Sequence, residues 1–198
     1  MTKLIAIDDG HGMETPGKRT PIFPDGTVSP ETGKPYMHEN EFNRAVAARL
    51  KVHLERSGFR TLMVAPGDSD VPLSTRVQKA NSANAHFYIS IHANANTSVW
   101  GSWGGIETYH YPGAADSAKA ATLIQKRLMQ GTKLRNRGVK SANFYVLQHT
   151  KMTAVLVECA FMDNLTEAKL LLSTQYREEC AKEIAQGICD YFNIRYVP

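Results

Sequence analysis

Apolar positions along this chain recur with two alternating rhythms, short runs that alternate or stay continuously apolar and longer runs with the three-to-four spacing of a helix face. Lys3 to Ile7 reads as a short strand, and residues 42 to 57 set Phe42, Val46, Leu50 and Leu54 at i+4 spacing, an amphipathic helix closed by Ser57 and Gly58. Arg60 to Val64 is a second strand, and after the turn-rich Ala65 to Pro72 a helix is expected from Ser74 to Ala83. Phe87 to Ile91 is a buried strand that runs straight into His92. Beyond a Gly/Trp loop from Trp100 to Gly105, Ile106 to Tyr111 alternates as a strand, and Ala118 to Met129 is helical with Ala121, Ile124 and Leu128 inward. Phe144 to Leu147 and Ala154 to Val157 read as two further strands. The chain closes with a turn opened by Thr166 and a helix from Gln175 to Phe192, whose apolar stripe is Cys180, Ile184, Ile188 and Phe192.

Strands alternating with helices argue for an α/β domain. No period of repeat-protein length recurs and no low-complexity linker divides the 198 residues, so one domain is expected, large enough to bury roughly 70% of its unfolded surface without a staple. A metal would therefore serve chemistry. One segment stands apart: Glu14 to Met37 carries Pro16, Pro21, Pro24, Pro30 and Pro35, which exclude a helix or a central strand. An irregular stretch of that length inside a compact domain is more often functional than neutral.

Charge and cysteines narrow the classes further. Lys plus Arg number 23 against 19 Asp plus Glu, a surplus of +4 that is far from the dense basic stripe of a nucleic-acid binder. Leu4 to Ile7 is too short for the core of an export signal and meets Asp8 and Asp9 at once, so synthesis in the cytoplasm without a signal peptide is expected, with no membrane span. Cys159, Cys180 and Cys189 are an odd count without metal-type spacing and read as buried free thiols.

The chemistry gathers where strands end. The first strand leads into Asp8-Asp9-Gly10-His11-Gly12, whose two glycines permit a tight turn around the imidazole. The Phe87 strand leads into His92, and the Ala154 strand into Glu158. Carboxyl ends of strands are where open α/β sheets bind ligands. The helix opening near Glu39-Asn40-Glu41 offers a further carboxylate at its first turn, where the helix dipole also favours an acid. Two histidines and a carboxylate with a position left for water are the donor set of a catalytic zinc, and Glu158, following a buried apolar run, needs a cation or hydrogen bonds to stay charged. His38, His86, His110 and His149 lack such settings. Trp100 and Trp103 either line a groove or pack a loop.

Six segments, IAIDDGHG, HENEFNRAVAARL, VPLSTRVQKANSANAHFYISIHANAN, GGIETYHY, LRNRGVKSANFYVLQHT and AVLVECAFMDN, cover almost the whole chain. In order and spacing they resemble the zinc-dependent N-acetylmuramoyl-L-alanine amidases of the Amidase_3 family, and the GKRTP stretch resembles bacteriophage endolysins and Bacillus-type autolysins. The resemblance implies a Zn2+ held by His11, Glu39 and His92, with Glu158 as general base and acid. Glu41 competes with Glu39, but a two-residue shift turns a helical side chain by about 200°. It also implies a single domain with a mixed, mostly parallel sheet of about six strands flanked by helices. The expected reaction is hydrolysis of the amide between the lactyl group of N-acetylmuramic acid and L-alanine in peptidoglycan. The alternatives are a zinc peptidase acting within the stem peptide and a non-catalytic wall-binding module. Residues 1–198 are expected to be a catalytic domain, either cut from a longer chain with a C-terminal wall-binding domain or carrying its own targeting. It is expected to act as a monomer on the cell wall after release by lysis or a holin, with the 14–37 loop walling one side of the groove.

Overall fold

The computed structural model describes residues 2–198, and their elements form one α/β domain, as expected. In chain order these are β1 (Leu4–Asp8), α1 (Glu39–Arg56), β2 (Arg60–Met63), α2 (Leu73–Ser82), β3 (Phe87–Asn94), β4 (Ile106–His110), α3 (Ala115–Gly131), β5 (Asn136–Ser141), α4 (Tyr145–His149), β6 (Thr153–Phe161), α5 (Leu165–Leu172) and α6 (Thr174–Phe192). The strands build one six-stranded sheet in the order β2-β1-β3-β6-β4-β5. All neighbours run parallel except β4 and β6, which are antiparallel.

Alternation along the central strands sorts side chains onto two faces. Ile5, Ile7, Phe87, Ile89, Ile91, Val155 and Val157 face the larger core beneath α1, α3 and α6. Leu4, Ala6, Tyr88, Ala154 and Leu156 face a smaller core capped by Val77 and Ala80 of α2 and by Val146 and Leu147 of α4. A strand covered on both faces can be apolar throughout, which is why β1 and the start of β3 read as continuous runs. The register then sets the site. His92 stands beside Glu158 across the β3–β6 pair, and Glu107 stands beside Glu158 across β4–β6.

Two sequence expectations fail here. Phe144 to Leu147 is not a strand but the cap and first residues of α4, whose Val146 and Leu147 seal the smaller core; a four-residue apolar run suits either element. The sixth strand is instead β5, Asn136–Ser141, an edge strand whose Arg137, Gly138 and Lys140 give no alternating signal. α1 also starts three residues earlier than the apolar spacing suggests, at Glu39, and α5 is capped by Asn164, which accepts from Glu167 N at 3.1 Å. The three cysteines are free and buried. Cys180 and Cys189 lie on opposite sides of α6, and both are enclosed because that helix is packed on two sides, against α1 and α3. Among the described residues no helix is long and apolar enough to cross a membrane.

Candidate metal centre and its groove

The turn after β1 depends on its glycines. Gly10 has φ +41, and a Cβ there would lie 2.6 Å from both His92 Cε1 and the Ile91 carbonyl, so only glycine lets the turn press against β3. His11 itself has φ 48, the left-handed region that L-residues enter at a cost, which directs its ring over the sheet edge. Glu39 arrives from the other side as the first residue of α1, its N–H donating to the Lys18 carbonyl at 2.9 Å. Glu39 Oε1 is 2.9 Å from His92 Nδ1 and accepts from Ala93 N at 3.2 Å and Asn43 Nδ2 at 3.2 Å, while Oε2 lies 3.5 Å from His11 Nε2. The two imidazoles stand edge to face with centroids 5.0 Å apart. One ligand atom from each of His11, Glu39 and His92 falls within 4.8 Å of the other two. Glu41 turns away to Ser29 Oγ and to His38 N, which donates to it at 2.7 Å.

A polar network beneath the cluster fixes the orientation of His92. Ser90 Oγ donates to Asp8 Oδ2 at 2.7 Å, so its oxygen is left to accept from His92 Nε2 at 3.1 Å. That pattern keeps the proton on Nε2 and turns Nδ1 toward Glu39, the arrangement by which outer groups orient a metal-binding histidine. Asp8 is held in turn by Tyr88 Oη at 2.9 Å and by Arg76 Nη1 at 2.8 Å. Arg76, also buried, spends its other nitrogens on Asp70 at 2.9 Å and the Val71 carbonyl at 2.7 Å.

Electrostatics separate the members of the site. Burial opposes ionisation of Glu39, but the hydrogen bond and charge of His92, with His11 behind it, outweigh burial and hold the carboxyl at about 2. Burial lowers His11 to about 4, against the pull of Glu39, leaving it neutral with a lone pair to offer. For His92 burial is again the largest influence, but Glu39 overrides it and raises the pKa. Glu158 is pushed up to about 8, first by burial and then by Glu39, with His92 and Lys18 working against them, and its enclosed Oε2 has no hydrogen-bond partner. An ionised Glu39, a neutral imidazole and an orphaned carboxylate oxygen beside them suit a divalent cation, and a nitrogen-rich set with one carboxylate suits zinc. Asp9 is enclosed as well, neither carboxyl oxygen partnered, and burial raises it to about 7.

The cluster opens into a groove of two lobes. One, about 250 Å3, is polar and lined by Asn94, Asn96 and Ser98; the other, about 230 Å3, is apolar and lined by Leu73, Phe144, Tyr145 and Leu156. Lys18, His92 and Glu158 border both. The polar lobe is shaped by buried Asp163, whose Oδ2 accepts from the N–H groups of Asn96, Thr97 and Ser98 at 2.7, 2.8 and 3.2 Å. Trp103 donates to Asp163 Oδ1 at 2.5 Å and Trp100 to the Ile22 carbonyl at 3.0 Å, so both tryptophans pack loops and neither borders the lobes. The proline-rich loop walls the groove through Gly17 and Lys18.

All four residues expected from the sequence thus meet at the ends of β1, β3 and β6 and the start of α1. Sequence reasoning passed over Asp8, Ser90, Arg76 and Asp163, which support the site. The alternating Tyr88, Ser90 and His92 on one strand face, set against the apolar Ile89 and Ile91, was the available signal.

An α/β sheet that gathers two imidazoles and a carboxylate at its strand ends and the start of a helix, with a second carboxylate left unpartnered beside them, offers a possible metal-binding triad of the donor type that hydrolytic zinc sites use. Known proteins give that class a family: residues 5–190 match the Amidase_3 family, N-acetylmuramoyl-L-alanine amidase, and the chain belongs to it. It is 37% identical over 193 residues to N-acetylmuramoyl-L-alanine amidase LytC of Bacillus subtilis (strain 168), an alignment covering 96% of this chain and 36% of that protein. The chain therefore spans little more than a third of that relative's length. Among solved structures it is similar to N-acetylmuramoyl-L-alanine amidase from Clostridium difficile 630, with TM-score 0.83, 28% identity and 97% of each chain covered. It is also similar to the catalytic domain of CwlV, N-acetylmuramoyl-L-alanine amidase from Bacillus (Paenibacillus) polymyxa var. colistinus, with TM-score 0.82, 28% identity, and 98% of this chain and 100% of that one covered.

Proposed function

We propose that residues 1–198 act as the catalytic unit of a zinc-dependent N-acetylmuramoyl-L-alanine amidase, monomeric and directed at peptidoglycan, with His11, Glu39 and His92 as zinc ligands and Glu158 as general base and acid. The observation that carries this reading is the meeting of three ligand atoms within 4.8 Å beside a carboxylate whose enclosed oxygen has no partner. When bound, zinc supplies Lewis acidity, acidifying a water and polarising the lactyl carbonyl. Glu158 stands one strand away from His92 and borders both lobes, so it reaches either side of a scissile amide laid across the groove. It takes a proton from the attacking water and returns it to the departing L-alanine nitrogen; a carboxyl raised toward neutrality does both better than one fixed far below it. Ser90 and Asp8 keep His92 in one orientation throughout. In this reading the polar lobe, with its two asparagines and a serine, receives the sugar, and the apolar lobe the peptide. The chain acts on the cell wall after release from the cell by lysis or a holin, directed to its target either by a C-terminal wall-binding domain of a longer chain or by the module itself.

Digestion of purified cell wall tests the reading. The expected products are free amines with N-terminal L-alanine and no new reducing sugars, lost on exhaustive chelation and restored by zinc. Cleavage within the stem peptide, or full activity without metal, would contradict it.

A further inference from the structure

We propose that Lys18 forms a carboxylate-binding subsite between the two lobes, selecting stem peptides whose second residue presents a free carboxylate; the inference rests on the amidase reading above. Lys18 borders both lobes beside His92 and Glu158. Its backbone is tied down, the carbonyl accepting from Glu39 N at 2.9 Å, its own N–H donating to Thr15 O at 3.3 Å, and Arg19 bridging to His38. The ammonium therefore hangs from a fixed point over the groove. Among the described residues its Nζ has no hydrogen bond and no ion pair.

The neighbouring cations are already engaged. Arg76 is taken by Asp8 and Asp70, and Arg137 and Lys140 by Glu107. The acids nearest Lys18 have other work: Glu39 faces both imidazoles, and Glu158 must exchange protons with the substrate. A half-buried ammonium without a partner, at the junction of a polar and an apolar lobe, is suited to an anion brought in by the ligand. In a stem peptide the carboxyl of the first residue is consumed in a peptide bond. A glutamate joined to the rest of the stem through its side-chain carboxyl keeps its α-carboxylate free, five bonds from the scissile nitrogen and about 6 Å away in an extended chain. That places it within the span of a lysine side chain that borders both lobes. Where the same carboxyl is amidated, the charge is absent and the contact is lost.

The test compares two soluble muramyl dipeptides that differ only in that group, N-acetylmuramoyl-L-alanyl-D-glutamate and its D-isoglutamine counterpart, with release of dipeptide measured by mass spectrometry. The zinc-loaded protein is expected to favour the acid by about tenfold in kcat/KM, as a charge-assisted contact gives or withholds about 1.4 kcal/mol. In Lys18→Met the loss should fall on the acid, so that the preference collapses toward one, and Lys18→Arg should keep part of it. The ratio within one preparation is insensitive to partial misfolding. Binding gives an independent readout: Glu158→Gln titrated with L-alanyl-D-glutamate and L-alanyl-D-isoglutamine should show the same preference without turnover. An unchanged preference in Lys18→Met overturns the subsite, as does an equal fall on both substrates, which would mark a role at the reacting carbonyl. If neither dipeptide is cleaved while the binding preference holds, the amidase reading fails and the subsite stands.

Discussion

The support beneath His92 makes a quantitative prediction. Arg76 is 1% exposed, and its guanidinium donates to Asp8 Oδ1 at 2.8 Å, to Asp70 Oδ1 at 2.9 Å and to the Val71 carbonyl at 2.7 Å. Asp8, equally enclosed, keeps only the hydroxyls of Tyr88 and Ser90 once that cation is gone. Replacing Arg76 by Met fills much of the volume with an apolar chain but leaves a buried carboxylate without its countercharge, a change that costs about 3–5 kcal/mol. For a two-state domain of this size each kcal/mol lowers Tm by about 2–4 °C, giving a drop of roughly 6–20 °C. Urea unfolding of the zinc-free protein followed by circular dichroism measures the change without stabilisation by bound metal. Because Asp8→Asn removes the opposite charge of the same buried pair, the double variant should lose less than the sum of the singles, with a coupling of roughly 1–3 kcal/mol. A loss under about 1 kcal/mol for Arg76→Met, or strict additivity in the double variant, would refute the idea that this pair holds up the site.

Two further outcomes follow from the same geometry. Ser90→Ala removes the oxygen that accepts from His92 Nε2, and zinc affinity, read by competition with a chelator, should fall about 10–100-fold while turnover at saturating zinc changes less; unchanged affinity would separate Ser90 from the metal centre. Glu39 raises the pKa of His92 against the opposing effect of burial, so in the metal-free protein a proton sits where zinc must bind, and affinity should rise with pH through the His92 titration. Calorimetry of zinc uptake at pH 6.5 in buffers of different ionisation enthalpy should report proton release, and heats independent of buffer would count against the assignment.

How far this was legible in the sequence depended on the kind of signal. β6 announces itself because a strand buried on both faces is apolar along its run, so the first polar residue after it, Glu158, marks the rim; β3, interrupted by Ser90, is marked by the histidine that follows Ile91. His11 was visible through the flanking Gly10 and Gly12, one of which the structure needs for contact with β3. Glu39 was not fixed by periodicity. Glu41 lies in the same first turn and is equally buried, but serves the loop through Ser29, and only the resemblance to a family separated the two. β5 escaped because an edge strand needs no apolar alternation, and α4 was misread because its apolar stretch is shorter than one helical repeat can declare. Arg76, Asp163 and Lys18 carried no local signal. Arg76 lies sixty-eight residues from Asp8 and Asp163 sixty-seven from Asn96, and Lys18 comes beside His92 and Glu158 only through the fold, so their roles exist only once the sheet has brought the strand ends together.

The central claim is that Glu158 moves protons and does not hold the metal, which His11, Glu39 and His92 do. Zinc content and turnover measured together on Glu158→Gln test it most directly. The variant should bind zinc as the unmodified protein does and release amines from purified cell wall about 10²–10⁴-fold more slowly. Retained turnover, or loss of zinc together with activity, would contradict the account.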